Sequence, residues 1–442
     1  MARTAVRARR VITPAGERPA TVLIEGAHIE AVLDYDAQVG TGTEVVRIED
    51  DCAVLPGLVD SHVHVNEPGR TAWEGFRTAT MAAAAGGITC LVDMPLNSIP
   101  ATLDLASLAV KQARASGRCY VDVGFWAGAV PGNEAQFAEL LDAGVAGFKC
   151  FLAPSGVPEF PELSGEELGV AMRRIVALGG LLIAHAEDPR LLQEATGPRY
   201  AGFLASRPTA AELSAVQLLI EQVRQSGCAT HVVHVSSAAA MQAIQAAKAD
   251  GLPVTAETCP HYLLLRADEI PDGSTVFKCC PPIRDAANQR QLWQGLLDGV
   301  LDCVVSDHSP CSIEDKQLAT GDFGTAWGGI AGLQLSLPVT WTAASEHGAS
   351  LAELARWMSS APAALVGFPD RGAIVAGRRA DLCVLAPEEE FLVQEALLLH
   401  RNPASPYTGR RLRGVVRQTW LAGRPLELSQ PPRGELLRSV RP

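Results

Sequence analysis

The amino-acid sequence predicts an α/β fold, a (β/α)8 TIM barrel with a small β-sandwich built from both chain ends. Three features carry that expectation. From Pro56 onward, short apolar runs alternate with stretches rich in Ala, Leu, Glu and Gln, the texture of βα units around a parallel sheet. Eight such runs recur at intervals of roughly 35 residues, close to what a (β/α)8 barrel with a few insertions requires. Strand-like segments also lie on both sides of that region.

Taken in order, residues 1–55 read as the first part of the sandwich: Val22-Leu23-Ile24, a turn at Glu25-Gly26, then Ile29-Glu30-Ala31-Val32. Residues 56–370 hold the barrel. Its runs fall near Leu58–Val65, Ile88–Met94, Tyr120–Ala127, Ala146–Leu152, Leu181–His185, His231–Val235, Val254–Thr258 and Cys303–Asp307. Residues 371–442 return to strand texture at Gly372-Ala373-Ile374, Leu382–Leu385 and Arg413–Leu421, followed by a tail. One module assembled from both ends is the economical arrangement of these flanking segments.

The balance of 37 Lys+Arg against 49 Asp+Glu gives a net charge of −12, which repels phosphate backbones and anionic lipid. Nucleic acid and membrane are therefore not expected as partners. No apolar stretch is long enough to span a bilayer; Ala79–Val92 is broken by Gly86-Gly87. Arg3, Arg7, Arg9 and Arg10 imitate a signal n-region, but Thr13, Pro14, Gly16 and Glu17 follow instead of an apolar segment. A cytoplasmic protein is the expectation. The eleven cysteines form no CxxC pair and sit mostly in apolar runs, so they read as reduced core thiols.

The sharpest local feature is His62-Val63-His64 at the end of the first barrel run. Residues i and i+2 of a strand share a face, so both imidazoles can reach one metal ion. Lys149 answers them from Ala146-Gly147-Phe148-Lys149-Cys150-Phe151-Leu152, an apolar strand in which a bare ammonium pays a large desolvation penalty. Kept neutral, its amine can take up carbon dioxide as a carbamate, a two-oxygen anion able to bridge two cations. His185, His234 and Asp307 each end a predicted strand, and barrel enzymes gather their chemistry at that end. His231, three residues before His234, is expected on the opposite strand face, packed outward; His308 is expected to orient the loop beside Asp307. Glu257 is expected to hydrogen-bond behind the site, while His28, His347 and His400 receive no chemistry. No nucleophilic triad is evident.

The ladder PGLVDSHVHV, GFKCF, AHAED, HVVHVSS, ETCPHY and VSDHSP resembles the cyclic-amidohydrolase branch of the amidohydrolase superfamily across nearly the whole chain. That resemblance implies a two-metal centre, most simply two Zn2+ with Co2+ or Mn2+ as alternatives. His62, His64 and Asp307 would bind one ion and His185 and His234 the other, with carboxylated Lys149 between them. Asp307 would also act catalytically, moving a proton from the attacking water to the leaving nitrogen.

Dihydroorotases usually carry Arg two residues past the HxH, whereas this chain has Asn66, an uncharged amide suited to a neutral ureido group. The strings around His64–Phe76, Asp93–Ser98 and Trp327–Gly332 resemble the allantoinase branch, which implies hydrolysis of the allantoin ring to allantoate. Asn66 and Asn97 are the expected substrate contacts. Ser155 stands nearest the place where hydantoinases carry an oxyanion-holding tyrosine, and Cys280 and Gly328 match positions that meet the ring through backbone groups. The partner expected is a small cyclic ureide, and the family implies a homotetramer. A hydantoinase of other ring size, or a scaffold without catalysis, is the alternative; a missing ligand would mark the scaffold, and none is missing.

Overall fold

The computed structural model describes residues 3–440. Five strands come from the start of the chain: β1 (Arg3–Thr13), β2 (Gly16–Glu25), β3 (His28–Asp34), β4 (Glu44–Arg47) and β5 (Ala53–Pro56). Nine shorter ones follow: β6 (Leu58–Val63), β7 (Ile88–Asp93), β8 (Asp122–Phe125), β9 (Ala127–Gly128), β10 (Phe148–Phe151), β11 (Leu182–His185), β12 (Thr230–Val232), β13 (Val254–Thr258) and β14 (Cys303–Val304). The last three are β15 (Leu382–Leu392), β16 (Arg411–Leu421) and β17 (Arg424–Pro425).

Both chain ends meet in one mixed sheet of order β17-β16-β15-β5-β1-β2-β3, with β4 paired to β1. A single hydrogen-bonded path therefore links segments from both chain ends. The junction is β15 against β5, where Leu382 lies opposite Pro56 and Leu385 opposite Ala53. Its alternate residues Val6, Ala8, Val22, Ile24, Val54, Leu382 and Val384 are buried in a core of their own.

β6 to β14 are all parallel and follow chain order, as β6-β7-β8 and as β9-β10-β11-β12-β13-β14. Only Trp126 separates β8 from β9, and an isolated parallel bridge joins Val63 to His308 just past β14. Seven of the eight predicted barrel runs contain one of these strands, and the run His231–Val235 overlaps β12, which begins at Thr230 and stops at Val232. Their residues are nearly all buried, as expected for strands covered on both faces. Helices follow the strands, among them Phe76–Ala85, Gly165–Ala177 and Thr209–Ser226. Gly165–Ala177 starts on a capping box, Ser164 and Glu167 each accepting from the other's backbone N–H.

Two buried acids fix the strand ends beneath the site. Asp60 accepts from the backbone N–H of His62 at 3.2 Å and of Ser306 at 3.2 Å, tying β6 to the chain leaving β14. Burial raises its carboxyl to about 6. Asp93 accepts from the Val65 N–H at 2.8 Å and from Lys111 at 2.7 Å, which holds the turn after the HxH motif. All eleven cysteines are free thiols.

Candidate metal centre

The six residues that the resemblance names as ligands line one cavity of about 650 Å³ at the C-terminal ends of the strands. His62 lies in β6, Lys149 in β10 and His185 at the end of β11, while His234 and Asp307 follow the ends of β12 and β14. His234 and Asp307 have φ of 40° and 43°, so the chain turns sharply there and swings each side chain inward. For a non-glycine residue this left-handed conformation costs free energy, and such strain is typical of functional sites.

Tautomers follow from the partners. His62 Nδ1–H donates to Glu257 Oε1 at 2.5 Å, because a carboxylate only accepts, and this leaves Nε2 bare. That Nε2 lies 3.2 Å from Asp307 Oδ1, with His64 Nε2 3.5 Å from the same oxygen. His185 Nε2–H likewise donates to Glu187 Oε2 at 2.9 Å, and its bare Nδ1 faces His234 Nε2 at 3.1 Å. Two ligands at 2.0–2.1 Å from a tetrahedral cation stand roughly 3.3 Å apart, so both sets fit an ion. Burial keeps the imidazoles neutral: His64 falls to about 4, and His185 and His234 also fall. Burial would raise the Asp307 carboxyl, but the neighbouring imidazoles of His62, His64 and His234 outweigh it and hold it well below the usual range.

Lys149 is fully buried, and its Nζ has no hydrogen-bond partner. Burial lowers it to about 8, which leaves about a tenth of the amine neutral near pH 7, far more than for an ordinary lysine. An orphaned buried amine among bare imidazole nitrogens fits a bridging carbamate.

The expected substrate contacts divide. Asn97, Ser155, Cys280 and Gly328 line the cavity. Asn97 approaches His64 Nδ1 at 3.4 Å, and with its unpaired oxygen turned there it would fix the His64 proton on Nδ1. Ser155 spends its hydroxyl proton on the Phe160 carbonyl at 2.6 Å, so it is committed to its own loop. Asn66 is not among the lining residues: its amide donates to the Pro310 carbonyl at 3.2 Å and its φ is 65°, the geometry of a turn-setting residue.

Two of three further histidines depart from expectation. His231 is buried inward, not outward, with Nε2 donating to Glu257 Oε2 at 3.0 Å and Nδ1 beside Thr255 Oγ1 at 2.7 Å. Strand alternation fails because β12 stops at Val232, before His234. His308 binds Glu74 at 3.1 Å and accepts from the Gly332 N–H at 3.2 Å, the loop-orienting place foreseen for it. His400 is buried with its ring 5.4 Å from that of His308, rather than lying in a surface tail.

Sequence reasoning missed Glu187 and Arg207. Arg207 lines the cavity and clamps Glu187, with Nε on Oε1 at 3.0 Å and Nη2 on Oε2 at 2.5 Å. The available signal was position: Glu187 stands two residues past His185 in AHAED, and Arg207 immediately precedes the Pro208 that starts the next helix.

Residues 53–426 match the model of the amidohydrolase family. The chain belongs to the amidohydrolase family. It is 55% identical over 439 residues to the allantoinase of Streptomyces avermitilis, covering 98% of each chain. With the allantoinase of Saccharomyces cerevisiae it shares 41% identity over 430 residues, 91% of this chain and 93% of the other. Among solved structures it is similar to the L-hydantoinase (dihydropyrimidinase) of Arthrobacter aurescens, with a TM-score of 0.89, 28% identity and coverage of 99% and 98%.

Proposed function

We propose that this chain is a metal-dependent hydrolase that opens the hydantoin ring of allantoin at its amide bond to give allantoate. The observation that carries the hydrolytic reading is the site itself, in which the bare Nδ1 of His185 faces His234 Nε2 at 3.1 Å beside a buried, unpaired Lys149 amine. Choice of substrate is supported by the full-length relatives named as allantoinases. In this reading the parallel strands β6 to β14, with β8 and β9 counted as one, form one closed (β/α)8 barrel, supported by the Val63–His308 bridge, and residues 1–55 and 371–442 form the second domain.

His62, His64 and Asp307 would hold one divalent cation, most simply Zn2+, and His185 and His234 the other, with the carbamate of Lys149 between them. When bound, such ions polarise a carbonyl and acidify water. Asp307 accepts the proton of the attacking water and hands it to the ring nitrogen as the C–N bond breaks, which yields the carboxylate and the free ureido amine. Ser309 Oγ donates to Asp307 Oδ1 at 2.9 Å and steers the carboxylate for that transfer. Glu257 and Glu187 hold His62 and His185 in the ligand tautomers. A homotetramer completes the proposal, to be read by light scattering.

The test is turnover of allantoin, hydantoin, dihydrouracil and dihydroorotate side by side on zinc-, cobalt- and manganese-loaded protein. Allantoin is expected to be fastest, and Asp307→Asn to cut its turnover about 10²–10⁴-fold with the fold retained. Equal rates on all four substrates, or near-wild-type Asp307→Asn, would overturn the reading.

A further inference from the structure

One excursion of the chain, residues 186–208 between β11 and the helix Thr209–Ser226, builds much of the cavity wall away from the histidines. Gln193, Thr196, Phe203, Ser206 and Arg207 all face the cavity from it. The excursion is pinned in place. Its Gln193 N–H donates to the Ser206 carbonyl at 2.9 Å, closing the loop on itself. Its Gly197 N–H donates to Asp322 Oδ1 at 2.9 Å and its Pro198 carbonyl accepts from Gly273 at 2.7 Å, fastening it to neighbouring loops.

Arg207 closes the base of the excursion by clamping Glu187. Oε2 of Glu187 receives both Arg207 Nη2 and His185 Nε2, so the guanidinium stands beside a metal-ligating imidazole. Nε and Nη2 are spent on that carboxylate, whereas Nη1 has no hydrogen-bond acceptor among the described residues, and Arg207 lines the cavity. Lys278, the other cation on this side, is committed to the carbonyls of Gly324 and Ala326, at 3.2 and 2.5 Å. A guanidinium edge neutralised by its own carboxylate suits a neutral carbonyl oxygen better than a free anion.

We infer that Arg207 is the residue that reads the ureido arm of the substrate, donating Nη1–H to the ureido carbonyl oxygen. The inference rests on the allantoin reading above and deepens it. Hydantoin, which is allantoin without that arm, separates the two roles open to Arg207. A residue that only supports His185 through Glu187 affects both substrates alike; a residue that reads the arm affects allantoin alone.

The experiment measures kcat and KM on both substrates, at metal saturation verified by metal analysis, for wild type and Arg207→Lys. Should Arg207→Lys fail to fold, Arg207→Gln replaces it, since it leaves Glu187 and its bond to His185 in place and its amide can still donate to that carboxylate. The expected result is a loss of about 10- to 100-fold in kcat/KM for allantoin, chiefly through KM, with less than about a 3-fold change for hydantoin. Equal losses on the two substrates, or no loss on either, would overturn the role of Arg207 and leave the allantoin reading standing. A metal-loaded wild type that hydrolyses hydantoin and ignores allantoin would overturn both.

Discussion

Glu257 is the point at which the metal centre is most exposed to a single change. Its carboxylate accepts from His62 Nδ1 at 2.5 Å, from His231 Nε2 at 3.0 Å and from the His234 backbone N–H at 3.3 Å, all in a fully buried setting. Glu257→Gln keeps the shape but replaces one acceptor oxygen with an NH2 donor. That donor meets an imidazole N–H, and the clash is relieved only if His62 or His231 moves its proton to the other nitrogen. For His62 the move places the proton on Nε2, the atom that must stay bare for a cation. Losing such a partner of a metal-bound histidine typically costs 10–100-fold in metal affinity. Breaking one side of a buried charged cluster costs about 3–5 kcal/mol of stability. Competition with a chromophoric chelator gives the zinc affinity, and thermal unfolding with and without zinc gives the stability. Unchanged zinc affinity together with an unchanged Tm in Glu257→Gln would refute the claim that this carboxylate sets the His62 tautomer.

Three further outcomes follow from the same geometry. Lys149→Ala should lose most bound metal and activity and regain part of both in short carboxylic acids, measured by metal analysis and turnover; a fully metallated, active Lys149→Ala would contradict the bridging role. Asn66→Gly, which keeps the positive φ, should retain allantoin KM within about 3-fold, while a β-branched residue there should cost about 1–3 kcal/mol of stability; a large rise in KM for Asn66→Gly would restore Asn66 as a substrate contact. Burial raises the carboxyls of Glu187 and Glu257, but the hydrogen bond of His185 to the first, the charge of His62 on the second and their other partners outweigh it and hold both at about 2. The unfolded chain therefore binds more protons than the native one, so metal-free protein should lose stability as pH falls from about 4.5 toward 2, by on the order of a few kcal/mol, and urea midpoints that stay flat across that window would contradict the burial of these ions.

The order of the strands and the residues gathered at the candidate metal centre could be read from the sequence because both are local signals. Apolar runs of β length mark the strands, and His62, Lys149, His185, His234 and Asp307 each sit at or near a strand end, where a parallel barrel gathers its chemistry. What strand periodicity could not give was orientation beyond the last paired residue. His231 turns inward since β12 ends at Val232, and Asn66 sits at a φ of 65° with its amide on the Pro310 carbonyl. Partnerships between distant parts of the chain stayed invisible for a different reason. Glu257 meets His62 across 195 positions, and Arg207 reaches the cavity only because its excursion folds back on Glu187. The single mixed sheet likewise depends on β15 finding β5, a pairing between segments more than three hundred residues apart that no local pattern encodes. Sequence determined which residues carry charge, lone pairs and apolar surface; tertiary packing decided which are deprived of water together, and that sets both the tautomers and the unpaired amine on which the chemistry depends.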